Sequence, residues 1–353
     1  MNVASAFRAP RPIETVDCFA ADVVAGLTAK PKSLPPKYFY DLAGSALFDR
    51  ITQLPEYYPT RCELGILQDN APAIASLFPP GCALIEFGSG SSRKARILLG
   101  AAATVEAYLP VDISGDFLQQ DLAQLCRDFP RLGVHPLIED FTKPFAIPHD
   151  IAVLPRVGFF PGSTIGNFEP HEAGKFLRHI GNMLGAGSLL VVGIDLIKDR
   201  GILYRAYNDA EGVTAKFNLN LLARINRELG ADFDLTAFEH HAFFNSAMSR
   251  IEMHLASTKR QQVRVNGTTI EFRAGETIHT ENSYKYTVES FQVLARGSGW
   301  SPLKLFTDGL FCVHALRRQT TDDGGQMTVA RRQTRNIRCH RASSALCRPS
   351  SVV

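Results

Sequence analysis

The sequence lacks any hydrophobic run long enough to cross a membrane. Its longest apolar stretches, such as 189–194 and 101–105, are far shorter than the roughly 20 residues that a bilayer core requires. The first 30 residues are interrupted by charged side chains and contain no apolar run of the length that a secretory signal has, about 7 to 15 residues. We therefore expect a cytoplasmic protein that does not bind a membrane.

Paired cysteines are also missing. The seven cysteines stand at scattered positions, and no Cys-x-x-Cys pair occurs. Because structural zinc sites need closely spaced cysteines and disulfide frameworks need an even set, neither is indicated as an organising feature of the fold. The sequence therefore predicts reduced thiols and no bound metal.

A strong charge of either sign is absent as well, since Lys and Arg total 38, Asp and Glu total 35, and the net charge is +3. Residues 319–353 hold six Arg and two Asp, a net +4, so residues 1–318 carry 32 basic and 33 acidic side chains, a net −1. The basic excess belongs to a tail that has no apolar periodicity and is predicted to be disordered. We expect no nucleic-acid partner, and a nucleic-acid-binding protein that uses this tail is the alternative from another class.

What the sequence does contain is an alternation of short apolar segments and amphipathic stretches. With 45% hydrophobic residues, the chain can bury a large core. Strands are predicted at 83–87, 107–111, 134–138, 157–160 and 189–194, with helices between them at 93–99, 115–129 and 170–183. This alternation predicts a doubly wound α/β unit whose parallel sheet is covered on both faces.

The alternation stops after Asp195. Helices are predicted at 202–208 and 213–229, and strands at 249–256, 262–265 and 268–272, the last two joined across Asn266-Gly267. A helix at 288–295 and strands at 303–307 and 310–316 then return to the sheet. We therefore divide the chain into a sheet domain at 60–197 and 287–318, an α+β lobe at 198–286, an N-terminal segment at 1–59 that joins this lobe, and the tail at 319–353.

The sharpest local feature is a strand that ends at Glu86, followed by a Gly88-x-Gly90 turn and a predicted helix. Glycines let the backbone approach a ligand closely, and a helix N-terminus favours negative charge. Arg93 stands where the dinucleotide fingerprint has its third glycine, which argues against a nicotinamide cofactor. An acidic residue before the turn instead suits S-adenosylmethionine, whose carboxylate would be reached by backbone N–H groups or by Lys94. A plain turn is the alternative.

Acidic residues also follow the next two strands. Asp112 closes the second strand, where a carboxylate can accept both hydroxyls of a ribose. Asp140 and Phe141 follow the third strand, placed to bind the amino group of an adenine and to cover its ring. Ligands of open α/β sheets bind at the carboxyl ends of the strands, so three such features in succession favour a nucleotide-like ligand. Each Asp could instead cap a helix.

Further polar and aromatic residues cluster at 57–58, 164–168, 204–209 and 280–283. With them the sequence resembles the S-adenosylmethionine-dependent histidine-specific methyltransferases of ergothioneine biosynthesis (L-histidine Nα-methyltransferase). The likeness covers about 15–318 and includes PKYFYD at 36–41, TQLPEYYPTR at 52–61, EFGSGSSRK at 86–94, PGSTIGNF at 161–168 and TENSYKY at 280–286. The resemblance implies a Rossmann-like class I methyltransferase sheet with a second α+β substrate-binding lobe, S-adenosylmethionine as methyl donor and a small amino-acid substrate.

The resemblance also implies roles for individual residues. Tyr57 and Asn167 would act in catalysis by holding the substrate α-amino group, and Asn167 with Tyr207 would hold the α-carboxylate. At the other end of the substrate the imidazole would be bound by Glu281 and Ser283, with Met253 lining that end. The cofactor would be held by Glu86, Gly88, Gly90, Lys94, Asp112, Asp140 and Phe141. The implied reaction is methylation of the α-amino group of L-histidine up to its trimethylated betaine.

The same residues allow other interpretations. Tyr57 could be a packing aromatic, Met253 a core residue, Asn167 a turn residue and Glu281 a surface strand residue. The same chemistry could also act on another amino acid or a small amine, and a binding protein without turnover is a further alternative. The sequence is compatible with a monomer.

Overall fold

The computed structural model describes residues 16–320. Residues 1–15 and 321–353 lie outside this range, and with them all but the first two residues of the tail that the sequence predicts to be disordered. The helices are α1 (Val16–Thr28), α2 (Leu42–Gln53), α3 (Tyr58–Ala75), α4 (Arg93–Ala101), α5 (Gly115–Asp128), α6 (His149–Ala152), α7 (Pro170–Leu184), α8 (Arg200–Tyr207), α9 (Val213–Leu229) and α10 (Val288–Gly297). None of the helices within 16–320 combines the length and the apolar character needed to cross a membrane.

The strands fall into three groups along the chain. The first comprises β1 (Lys32–Ser33), β2 (Cys82–Phe87), β3 (Val105–Asp112), β4 (Gly133–Val134), β5 (Leu137–Ile138), β6 (Arg156–Phe160) and β7 (Leu189–Asp195). The second comprises β8 (Phe238–Asn245), β9 (Arg250–Ser257), β10 (Gln261–Val265), β11 (Thr268–Phe272) and β12 (Thr277–Tyr284). The third is the pair β13 (Trp300–Thr307) and β14 (Phe311–Arg318).

The main sheet has the order β13-β14-β7-β6-β2-β3-β4, and β5 also pairs with β3. Its neighbours pair in parallel apart from β14, which runs antiparallel to both β7 and β13. Strands β2 and β7 are buried along their whole length, which explains why they are near-continuous apolar runs in the sequence. From β2 the chain continues to β3 on one side and later to β6 on the other. The strand order therefore reverses between β2 and β6, which opens a crevice at their carboxyl ends.

The predicted doubly wound sheet is thus confirmed, with helix and strand ends mostly within two residues of the predicted ones. One predicted strand, 134–138, is divided into the short strands β4 and β5. Pro136 stands between them and has no N–H to donate to a ladder, so the pairing with β3 is interrupted there.

A second sheet has the order β1-β12-β9-β8, and β10 and β11 form a separate hairpin. The hairpin turns at Asn266 and Gly267, which have positive φ of 47° and 77°, as a two-residue turn of the predicted kind requires. Strands β8 and β12 are not predicted from the sequence. In β12 the buried side chains include the polar Thr280, Asn282 and Ser283, and the partly exposed ones are polar as well, so its sequence lacks the contrast between apolar and polar faces that marks a strand.

The N-terminal segment shares a hydrophobic core with the second sheet and its helices. Phe39 stacks on Phe217 of α9 with ring centroids 4.5 Å apart, and Leu27 and Leu34 are buried in the same cluster. Adjacent residues of β2, such as Leu84 and Ile85, belong to two further clusters, one on each face of the main sheet. The exact domain boundaries stay a prediction. The shared core is what we expect if the N-terminal segment joins the α+β lobe.

Candidate active site

Two adjoining cavities lie at the carboxyl ends of the main-sheet strands. The larger, of about 250 Å³, is lined by the loops that follow β2 and β3, by 140–142, and by the N-terminal segment. The smaller, of about 40 Å³, reaches β12 of the second sheet. The residues that line both are Tyr40, Phe48, Tyr57, Pro59, Gly162, Thr164 and Asn167. The two cavities therefore meet where the main sheet faces the second sheet.

The carboxylate of Glu86, at the end of β2, lies at the base of the larger cavity. It is fully buried and accepts a hydrogen bond from the Tyr108 hydroxyl, while its Oε1 finds no hydrogen-bond partner within residues 16–320. Burial raises the pKa of Glu86 well above its usual value. An unpartnered buried acceptor at a cavity wall is costly unless a ligand donates to it.

The turn after β2 adopts a conformation that depends on glycine. Gly88 has φ +72°, and a Cβ at this position would lie 3.2 Å from Cε1 of Phe141. The Gly90 N–H donates to Oδ2 of Asp112 at 2.9 Å, and the Ser114 N–H donates to Oδ1 of the same carboxylate at 2.8 Å. Asp112 therefore ties the first loop to the second rather than capping α5, and the ring of Phe141 closes over the turn.

Asp140 and Phe141 also line the larger cavity. Oδ1 of Asp140 accepts from the Thr142 N–H at 3.0 Å, which holds the carboxylate within its own loop. The Phe141 ring packs edge-on against Phe160 and Phe176, with centroids 5.8 and 5.9 Å away. This packing fixes the ring as one wall of the cavity.

Lys94 lines the same cavity through an ion pair that the sequence does not reveal. Its Nζ lies 2.6 Å from Oε2 of Glu63, a fully buried residue on α3. The Glu63 carboxylate also accepts the Gly162 N–H, at 2.8 and 3.0 Å. Glu63 thus connects the first turn of α4 to the loop that follows β6. The sequence signal for it was a charged residue on an otherwise apolar helix face, beside Ile66 and Leu67.

The tight packing around Glu63 gives a testable consequence for stability. A Cβ on Gly193, in β7, would lie only 2.0 Å from Oε1 of Glu63. We expect Gly193→Ala to lower the free energy of unfolding by about 1–3 kcal/mol, measured by chemical denaturation. Gly65→Ala on α3 is the matched control, because its Cβ meets nothing within 4 Å and alanine favours a helix. Unchanged stability of Gly193→Ala would contradict the described packing.

Five of the six predicted substrate residues line the smaller cavity, namely Tyr57, Asn167, Tyr207, Glu281 and Ser283. Asn167 ends the 3-10 turn Thr164–Asn167, which packs so closely on β12 that a Cβ on Gly166 would lie 2.8 Å from the Tyr284 carbonyl oxygen. Met253 pairs with Glu281 in the β9–β12 ladder but lines neither cavity and is buried in the core of the second sheet.

Glu281 reaches the smaller cavity because the ladder is irregular. The register between β12 and β9 shifts between His279 and Glu281, as in a β-bulge, which re-aims a side chain. Burial raises the pKa of Glu281 to about 7, and the nearby Lys285 ammonium opposes this rise. A carboxylate at this position would therefore change its charge near neutral pH.

A buried charged network that the sequence did not reveal closes the smaller cavity. Asp195 accepts from the Tyr58 hydroxyl at 2.7 Å and from Lys285 Nζ at 2.8 Å, and it also pairs with Lys198. The Lys198 ammonium donates in turn to the Tyr58 hydroxyl at 2.7 Å. Asp195 and Lys285 both line the cavity. Because these groups come from α3, from the end of β7 and the loop after it, and from the residue after β12, only the fold brings them together.

One group within the described residues has the composition of a metal site: Glu252, His254 and His279, whose ligand atoms lie within 4.8 Å of one another. The two imidazoles stack, with centroids 4.8 Å apart and planes inclined by 26°, so their in-plane lone pairs do not converge on one point. Glu252 already accepts from Arg250 and Asn245, at 2.8 Å each. The geometry of this group is that of a hydrogen-bonded stack outside both cavities.

A family match and the similar proteins of known name agree with one another. A family described as "Histidine-specific methyltransferase, SAM-dependent" matches residues 19–318. Histidine N-alpha-methyltransferase of Mycolicibacterium smegmatis is 45% identical over 293 residues, and that of Mycobacterium tuberculosis is 42% identical over 296, each match covering 81% of this chain and 90% of the relative. Ergothioneine biosynthesis protein 1 of Neurospora crassa is 32% identical over 79% of this chain, which corresponds to 32% of that longer protein.

Proposed function

The chain belongs to the S-adenosylmethionine-dependent, histidine-specific methyltransferase family, and on this basis we propose that it methylates the α-amino group of L-histidine. Repeated transfer would give the trimethylated betaine, as the first step of ergothioneine biosynthesis. The observation that carries the proposal is the meeting of two cavities, one suited to the methyl donor and one to the amino acid, at Tyr57 and Asn167.

The residues of the larger cavity fit S-adenosylmethionine. Oε1 of Glu86 is a buried acceptor to which no group of residues 16–320 donates, as a cationic amino group of the ligand requires, and the Gly88 turn leaves room that a Cβ would fill. In the proposal the ligand is held by Glu86, Gly88, Gly90, Lys94, Asp112, Asp140 and Phe141. When bound, S-adenosylmethionine supplies a methyl group on a sulfonium that a neutral amine can attack in line.

The residues of the smaller cavity suit an amino acid with a polar ring. In the proposal the amide of Asn167 and the hydroxyl of Tyr57 orient the amine lone pair, and Asn167 binds the α-carboxylate. Tyr207 was predicted to share in this, but its O–H already donates to Ser283 at 2.7 Å, so it lines the site without a proton for the carboxylate. Glu281 and Ser283 bind the imidazole, and Met253 supports Glu281 from the neighbouring strand. No strong base is required, because the amine needs to be neutral and aligned rather than activated.

The aromatic lining accounts for tolerance of a permanently charged product. Tyr40, Phe48 and Tyr57 line both cavities, so they surround the point where successive methyl groups would accumulate. Aromatic faces attract quaternary ammonium groups, which suits a trimethylated product. For the protein as a whole we keep the expectations of a cytoplasmic location and of no metal requirement.

Methyl transfer to histidine is directly testable. The purified chain is incubated with S-adenosylmethionine and each of the common amino acids, and products are followed by mass spectrometry. We expect histidine alone to gain one, two and three methyl groups, with the trimethylated form accumulating at the end. Methyl transfer to another amino acid in preference to histidine would move the proposal to that acceptor, and binding of both ligands without turnover would contradict an enzymatic role.

A further inference from the structure

Each of the three N–H groups of the Lys285 ammonium has a hydrogen-bond acceptor in the protein. It is almost fully buried at the wall of the smaller cavity, directly after β12. Its Nζ lies 2.8 Å from Oδ2 of Asp195, 2.7 Å from Oγ of Ser283 and 3.0 Å from the hydroxyl oxygen of Tyr207. Three acceptors match the three donors of an ammonium, so Lys285 contributes no further proton to a substrate. Burial lowers its pKa, but Asp195 and Tyr207 more than offset this and raise the pKa above its usual value.

Ser283 receives two of the hydrogen bonds in this group. Besides the bond from Lys285, its Oγ accepts one from the Tyr207 hydroxyl at 2.7 Å. A hydroxyl oxygen has two lone pairs, and both are then occupied. The single O–H proton of Ser283 is the group that remains, and Ser283 lines the cavity into which it can point. Ser283 is therefore set as a hydrogen-bond donor toward the substrate.

We propose that Lys285 is a positioning residue that determines which form of the substrate ring is bound, an inference that rests on the proposed function. Ionised Glu281 only accepts hydrogen bonds, and Ser283, held by Lys285, only donates toward the cavity. A ring that satisfies both carries one N–H and one bare nitrogen, which describes a neutral imidazole. An imidazolium has no bare nitrogen, and an all-carbon ring leaves both protein groups unpaired, so both are rejected.

A double-mutant cycle tests whether Lys285 acts through Ser283. The variants are Lys285→Met, Ser283→Ala and the double variant, each assayed for histidine methylation. We expect each single variant to raise KM for histidine about tenfold with kcat little changed, because the hydrogen bond from Ser283 to the ring is lost. The double variant should resemble the single ones, because both changes remove the same interaction.

Controls separate the possible failures. Affinity for S-adenosylmethionine, measured by calorimetry, should stay within threefold of the unmodified chain in every variant, roughly what independent sites allow. Lys259→Met, at an exposed lysine paired with Asp234, is the matched control and should leave KM unchanged. If Lys285→Met does not fold, Lys285→Leu replaces it in the cycle, since leucine also fills the apolar part of the site and donates no hydrogen bond to Ser283.

Two results would overturn the inference: a KM for Lys285→Met equal to that of the unmodified chain, or independent effects that multiply to about a hundredfold in the double variant. A failure of the proposed function is distinguishable, because it would show as absence of histidine methylation by the unmodified chain, before any variant is compared.

Discussion

Replacing Asn167 with alanine is expected to lower kcat for histidine methylation by about 10²- to 10³-fold. The side chain lies at the junction of the two cavities, at the end of the Thr164–Asn167 turn that packs on β12. An amide offers an acceptor to an amine N–H and donors to a carboxylate, so one group can orient the nucleophile and the rest of the amino acid together. Without it the amine remains bound in many orientations, few of which lead to transfer. Initial rates at saturating concentrations of both substrates measure the effect.

Two comparisons distinguish this loss from general damage. Affinity for S-adenosylmethionine should change little in Asn167→Ala, because the groups proposed to hold that ligand lie at the end of β2, in the segment that leads into α4, at the end of β3 and after β5. Asn70→Ala is the matched variant, since the Asn70 amide on α3 donates to the Ile66 carbonyl within its own helix and lines neither cavity. A kcat for Asn167→Ala within threefold of the unmodified chain would show that positioning depends on other residues, since a positioning loss should be far larger.

The sequence predicts the main sheet well because each of its strands is locally distinctive. Strands β2 and β7 are buried on both faces, so every residue tends to be apolar, and the helices between them have one apolar face. Strand β12 shows the limit of this reasoning. Its residues Thr280, Asn282 and Ser283 are buried but polar, and they are paired with other side chains rather than with solvent. A strand stabilised by such tertiary contacts has no periodic signal of its own.

Some residues of the candidate site can likewise be predicted from the sequence, and others cannot. The Gly88-x-Gly90 turn and Asp112 are predictable because their meaning depends on neighbours in the sequence and on the position after a strand. The Lys285–Asp195 pair and the Glu63–Lys94 pair join residues 90 and 31 positions apart, and their importance lies in the burial of Asp195, Lys285 and Glu63. Burial of a charge is a property of the folded chain, so single-sequence reasoning gives these groups no special status.

Glu281→Ala is expected to raise KM for histidine by about a hundredfold, because a charged acceptor for the ring N–H is lost from a shielded site. The matched variant is Glu239→Ala, which removes an exposed carboxylate from β8 of the same sheet and should leave KM unchanged. Competition by unlabelled histidine in a binding assay with the demethylated cofactor would separate weaker binding from slower transfer. A KM that stays within threefold would mean that the imidazole is not bound through Glu281, since loss of a charged partner costs more than this.

The pH dependence of KM for histidine tests the role of Glu281 more specifically. Burial raises the pKa of Glu281 to about 7, so the carboxyl is protonated below this pH and ionised above it. Histidine binds best to the ionised form, and KM should therefore rise as the pH falls below 7, approaching about a tenfold increase per pH unit. The ring of free histidine titrates in a similar range, at about 6.5, and contributes its own rise. In Glu281→Gln the substrate ring still titrates but the carboxyl does not. The rise of KM with falling pH should therefore be shallower in this variant and begin at lower pH. If the two profiles coincide, the titrating group belongs to the substrate alone, and Glu281 is not the acceptor that the ring meets.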